Sequence, residues 1–178
     1  MFEKRIKLFI ELINNEKSVN WIKASELICP EDKYNDEVFE AIKTMELYGI
    51  LKVKRVASTI DSSISLTSKG AFLGREYIDN YDNIFEDVVS LVTSENSSLK
   101  NDVEISRKLD VPRIFVDAVF EDLENQNLVK TRTAIGGMYI YKFTDRGKDY
   151  FFWFELSLRV FNCLVYVLTN DLKNEMYF

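Results

Sequence analysis

AIKTMELYGILKVK, residues 41–54, lies without a gap on VFEDLENQNLVKTR, residues 119–132. The apolar positions coincide: Ile42 with Phe120, Met45 with Leu123, Ile50 with Leu128 and Leu51 with Val129. Gly49 falls opposite Asn127. Glycine has no Cβ to clash when φ is positive, and asparagine tolerates that region better than most residues. Both stretches therefore predict a helix closed by a left-handed residue, with a strand beginning directly after it. Such a pattern met twice in 178 residues reads as an internal duplication.

The correspondence extends outward. SISLTSKG at 63–70 matches IYKFTDRG at 140–147, pairing Thr67 with Thr144, Lys69 with Arg146 and Gly70 with Gly147. Each reads as a strand ending in a threonine N-cap, then a new helix. Turn-rich residues separate the strands of each copy: Ala57 to Ser63 in the first, Ile135-Gly136-Gly137-Met138 in the second. Upstream, Ile6, Ile10 and Ile13 in one copy and Ile84, Val88 and Leu91 in the other have the spacing of a helix face. A short helix is expected near Lys23 to Ile28 and near Val103 to Leu109. The third helix is expected to start at Asn35 or Asp36 in the first copy and at Pro112 in the second, where proline suits a first turn.

The order of three helices and a two-stranded hairpin resembles the winged-helix superfamily, and ISRKLDVPRIFVDAVFEDLENQNLVKTR (105–132) is similar to its middle segment. The expected fold is mainly α with small β-hairpins (α+β): a winged-helix repeat over 1–80, a second over 81–149, and an apolar C-terminal helix over 150–178. The resemblance is to a fold and does not by itself select a function.

In DNA-reading members of that superfamily the third helix enters the major groove and offers basic and amide side chains to bases and phosphates. Here Lys43 stands against Asp36, Glu37, Glu40 and Glu46, and Arg113 against Asp117, Glu121, Asp122 and Glu124. Carboxylates facing phosphates repel, so ordinary groove docking is disfavoured. The net charge of -6 removes global attraction to nucleic acid as well. Positive charge gathers instead in the hairpins, at Lys52, Lys54 and Arg55 in the first and Lys130, Arg132 and Lys142 in the second. These are the candidate nucleic-acid contacts, though lysine and arginine on strands also serve as ordinary edge protection.

YFFWFELSLRVFNCLVYVLTNDL, residues 150–172, is the strongest interaction feature. Phe151, Phe154, Leu158, Phe161, Val165 and Leu168 form a helical seam, and Trp153, Val160, Leu164 and Val167 make a second face apolar. A helix apolar on so much of its circumference is expected to be covered on two sides, one by its own domain and one by a second copy or another protein. Glu155, Arg159 and Asn162 interrupt the segment and argue against a membrane span.

Histidine is absent, Cys29 and Cys163 form no paired motif, and there is no glycine-rich phosphate loop or nucleophile motif. No enzyme, cofactor or metal is expected, the two thiols read as buried, and the N-terminus without a cleavage pattern reads as cytoplasmic. The architecture is similar to kleisin-binding accessory subunits of chromosome-organising complexes and to subunits of membrane-remodelling complexes, with no motif selecting either. The first expectation is a protein-interaction or regulatory subunit that binds a protein partner or itself as a homodimer. The alternative is a dimeric DNA-binding transcriptional regulator that touches DNA mainly through its wings.

Overall fold

Ile6, Phe9, Ile10 and Ile13 recur every three or four residues and are all buried, which fixes the inward face of the first helix, α1 (Phe2–Asn15). The computed structural model describes residues 2–15, 21–28, 35–55, 62–94, 101–135, 137–154, 156–157 and 160. After α1 come β1 (Ile22–Lys23), a 3-10 turn (Ala24–Leu27), α2 (Asn35–Leu47), β2 (Leu51–Lys54), β3 (Ser63–Leu66) and α3 (Ser68–Leu73). A 3-10 turn at Arg75–Tyr77 leads to α4 (Tyr81–Thr93), α5 (Asp102–Leu109), α6 (Arg113–Asn125), β4 (Val129–Ala134) and β5 (Gly137–Phe143). Residues 145–154 are again helical. The chain is mainly α with small antiparallel β-hairpins.

The aligned junctions are built from the same hydrogen bonds. Gly49 has φ 70° and Asn127 φ 55°. Ile50 N–H donates to Met45 O at 2.8 Å and Gly49 N–H to Glu46 O at 2.9 Å; Leu128 N–H donates to Leu123 O and Asn127 N–H to Glu124 O, both at 2.9 Å. These six-to-one and five-to-two bonds are the Schellman arrangement, which satisfies the last carbonyls of α2 and α6. The Thr67 hydroxyl donates toward Gly49 O at 2.7 Å and accepts from Gly70 N–H at 3.0 Å. Thr144 repeats both contacts, with Asn127 O at 2.6 Å and Gly147 N–H at 2.9 Å. One hydroxyl thus caps the new helix and ties it to the end of the old one.

Glycine is required at the matching position because the backbones nearly touch. A Cβ on Gly70 would sit 2.3 Å from Ile50 O, and one on Gly147 would sit 1.8 Å from Leu128 O. Neither carbonyl can withdraw, since each also accepts a backbone N–H, from Thr67 and from Thr144.

Three features differ from expectation. The first short helix is a 3-10 turn, preceded by a two-residue strand that makes the first sheet three-stranded in the order β1-β3-β2. Buried Ile22 pairs with Ile64, and Ala24 N–H donates to Ser62 O at 2.9 Å, so the sheet claims residues that a longer helix would need. The second hairpin carries a register shift between Lys130 and Thr131. The helix after β5 runs from 145 to 154 without a break, so the apolar C-terminal segment continues the element capped by Thr144. Cys29, Gly136, Cys163 and most of the Ala57 to Ser63 turn lie outside the described residues.

One hydrophobic cluster spans both halves of the chain. Its most extensive helix–helix contact joins α3 to α6. Across that contact Ser68 Oγ donates to Glu121 Oε2 at 3.0 Å, and from the start of α4 Tyr81 OH donates to Asp122 Oδ2 at 3.2 Å. Asp122 also accepts from Gln126 Nε2 at 2.9 Å and faces Arg75. Burial and the adjacent Asp122 charge hold the Tyr81 hydroxyl protonated far above the usual phenol range. Phe115, Val116, Ala118, Val119, Phe120 and Leu123 are buried, and only Arg113 and Asn125 of α6 are exposed.

Candidate functional site

The α1 face, the β2–β3 surface, the first turn of α6 and the second hairpin together enclose a cleft of about 550 Å³. Its apolar surface comes from Phe9, Ile13, Leu66, Ile114 and Met138, with Trp21 beside it. Its polar surface is contributed by Lys52, Ser65, Ser68, Arg113, Asp117 and Thr133. The two cations come from opposite halves of the chain.

Asp102 is fully buried beside this cleft. Its Oδ2 accepts from Arg113 Nε at 2.6 Å and its Oδ1 from Val103 N–H at 2.7 Å. Gly137 lies directly over the pair, because a Cβ there would fall 2.1 Å from Asp102 Oδ1 and 3.0 Å from Arg113 Nη2. The Asp117 carboxyl lies close enough to Asp102 for a proton on Asp117 to bond the two. Burial first, then that bond and the Asp102 charge, push it up to about 8, while Arg113 and Lys52 act in the opposite direction. Two carboxyls this close cannot both ionise cheaply, so at neutral pH the pair keeps one proton. The Asp117 Oδ1 atom is buried with no hydrogen-bond partner.

The expected acidic face of the second third-helix is therefore spent inside the molecule. Glu121 bonds Ser68, Asp122 bonds Tyr81 and Gln126, Glu124 bonds the Thr131 hydroxyl, and Asp117 belongs to the buried pair. On α2, Glu40 pairs with Lys43 at 2.6 Å and Glu46 with Arg55.

The six basic residues of the hairpins divide by copy. Lys52 lines the cleft, Lys54 sits over the Trp21 ring at 3.9 Å from its centre, and Arg55 is held by Glu46. On the second hairpin Lys130 pairs across the strands with Lys142, and Arg132 pairs with Tyr139. Arg132 and Lys142 are exposed and Lys130 is half-buried. The structure does not bring the two basic sets into one group of free charges.

The C-terminal helix has two sides. Phe151 is buried against Phe143, with ring centres 5.2 Å apart, and Phe154 is half-buried against the core. Phe152 (64% exposed), Trp153 (65%), Leu156 (41%) and Val160 (53%) face outward. Of the predicted seam, Phe151 and Phe154 thus pack on the protein's own core, while Leu158, Phe161, Val165 and Leu168 lie outside the described residues.

A second hollow, about 880 Å³, lies between Arg75, Tyr81, Asp122 and Tyr150, where the polar groups largely bond one another. Among the described residues no group of His, Cys, Asp or Glu could hold a metal ion, and no helix is long and apolar enough to cross a membrane. No family model matches the chain, and no curated protein matches it.

Sequence reasoning missed Asp102, Asp117 and Trp21 as neighbours of one cleft. Asp102 follows the N-cap Asn101 and reads as a cap-region acid, while Asp117 stands four residues after Arg113 and reads as a surface ion pair. A signal did exist: between Ile114 and Phe120 every residue except Asp117 is apolar, which marks a helix covered on more than one side.

Proposed function

We propose that the chain is a non-catalytic assembly or regulatory subunit, built of two winged-helix repeats, that engages a protein partner or a second copy of itself through its C-terminal helix. The observation that carries this reading is the outward stripe of Phe152, Trp153, Leu156 and Val160 on a helix whose opposite side is anchored by Phe151 and Phe154. Covering large apolar side chains is worth about 1.5–3 kcal/mol each, so four in a row are a substantial drive to associate. Aromatic residues centred in such a patch are typical anchors of protein interfaces. The covered state of α6 supports the same reading, since a helix with only Arg113 and Asn125 exposed has no free face for a DNA groove.

The test is sedimentation equilibrium of the full chain beside the double variant Phe152→Glu, Trp153→Glu, together with recovery of co-purifying proteins. Loss of the dimer or of the co-purifying partner in the variant is expected. Mass and partners unchanged by two charges in the stripe would end the proposal.

The alternative, a regulator touching DNA by its wings, is favoured by one observation, the adjacent Lys130 and Lys142 with exposed Arg132 on the second hairpin. Anisotropy of random-sequence duplex DNA at low salt separates the readings. Under the assembly reading no binding is expected. Micromolar binding that fades with salt and disappears in Lys130→Glu, Arg132→Glu, Lys142→Glu would favour the regulator.

A further inference from the structure

We propose that the cleft between the two halves of the chain is a binding site for a small organic anion with an apolar body, of the arylalkyl carboxylate class, held by Lys52 and Arg113. The assignment is independent of the association surface, which lies on a different element. Its volume of about 550 Å³ falls within the range of small-molecule sites, about 300–1,000 Å³. The apolar lining, with exposed Trp21 and half-buried Ile114 and Met138 above the buried Phe9, Ile13 and Leu66, is of the kind that accepts a ring or chain, not a bare inorganic ion.

The charge balance selects the sign of the ligand. Arg113 is oriented by Asp102, which also neutralises it. Asp117 retains its proton at neutral pH and so brings no negative charge to the wall. Lys52 then stands uncompensated: the neighbouring cations Lys54 and Arg55 are engaged by Trp21 and Glu46, whereas Lys52 lines the cleft and forms no ion pair among the described residues. A carboxylate or sulfonate against Lys52, with its hydrocarbon on the apolar lining, supplies the missing counter-charge. A cationic ligand would meet Lys52 with no ionised group beside it, since the one carboxylate at hand, Asp102, is already paired with Arg113. The polar hollow beside Arg75 and Asp122 has no equivalent free cation among the described residues, since Arg75 donates to Phe72 O and faces Asp122.

The chain's two tryptophans allow a direct reading. In Trp153→Phe the indole of Trp21, beside the cleft, is the sole tryptophan signal. Phenylbutyrate is titrated into this variant, with phenylbutyramide as the neutral match. A saturable change in Trp21 emission with the carboxylate is expected, with affinity reduced about tenfold or more for the amide. Adding Lys52→Gln, a change at an exposed side chain, is expected to weaken the carboxylate about tenfold while leaving the thermal midpoint of the unliganded protein in place. No saturable change with phenylbutyrate, equal binding of the amide, or indifference to Lys52→Gln in a folded protein would each overturn the assignment.

Discussion

Asp117 gives the molecule a pH dependence of definite sign. In the folded protein its carboxyl keeps a proton up to about pH 8, whereas the unfolded chain releases it near the ordinary value of 3.8. The folded state therefore binds the extra proton between those values, and stability declines as pH rises through that interval. Asp117→Asn keeps a neutral polar side chain there, and its denaturation free energy is expected to overtake that of the parent as pH approaches 8. Parallel curves for the two proteins would contradict the shared proton. Gly147 makes a second residue-level test, because a Cβ there has nowhere to go but into Leu128 O. Gly147→Ala is expected to cost about 1–3 kcal/mol in denaturant melts, the usual penalty for forcing extra volume into a packed site. Gly49→Ala acts differently, since nothing lies within 4 Å of its added carbon and the cost is the left-handed backbone alone, about 1 kcal/mol.

Among the elements, the threonine caps set how firmly each hairpin is tied to the helix after it. Thr144→Ala removes both the cap of the helix at 145–154 and the bond to Asn127 O, and a loss of about 0.5–2 kcal/mol is expected, with earlier hydrogen exchange in that helix. These junctions were legible in the sequence because their requirements are local: a left-handed residue at Gly49 and Asn127, a hydroxyl at Thr67 and Thr144, a missing side chain at Gly70 and Gly147. The helices α2, α4, α5 and α6 were legible for the same reason, through spacing and caps. What could not be read was the partner of each element. The carboxylates of α6 look like a solvent-facing surface in one dimension, and only the placement of Ser68, Tyr81 and Asp102 turns them inward. Lys52 likewise is set apart from Lys54 and Arg55 by tertiary placement, with the second half of the chain beside it while Trp21 and Glu46 engage the other two.

The whole molecule is joined at α3 and α6, within one hydrophobic cluster. Phe120→Ala in α6 empties a fully buried position and is expected to cost about 3–5 kcal/mol. If the halves share one core, calorimetry will show a single transition moved as a whole to lower temperature. Two transitions, the earlier half untouched, would mean that the halves melt as separate domains. The same contact has a consequence for how the protein is made. A nascent chain leaving the ribosome completes α3 well before α6 has been synthesised, so the first half emerges with the α3 surface that α6 will cover still bare. A ribosome stalled between the two halves therefore presents that uncovered apolar surface to chaperones and proteases.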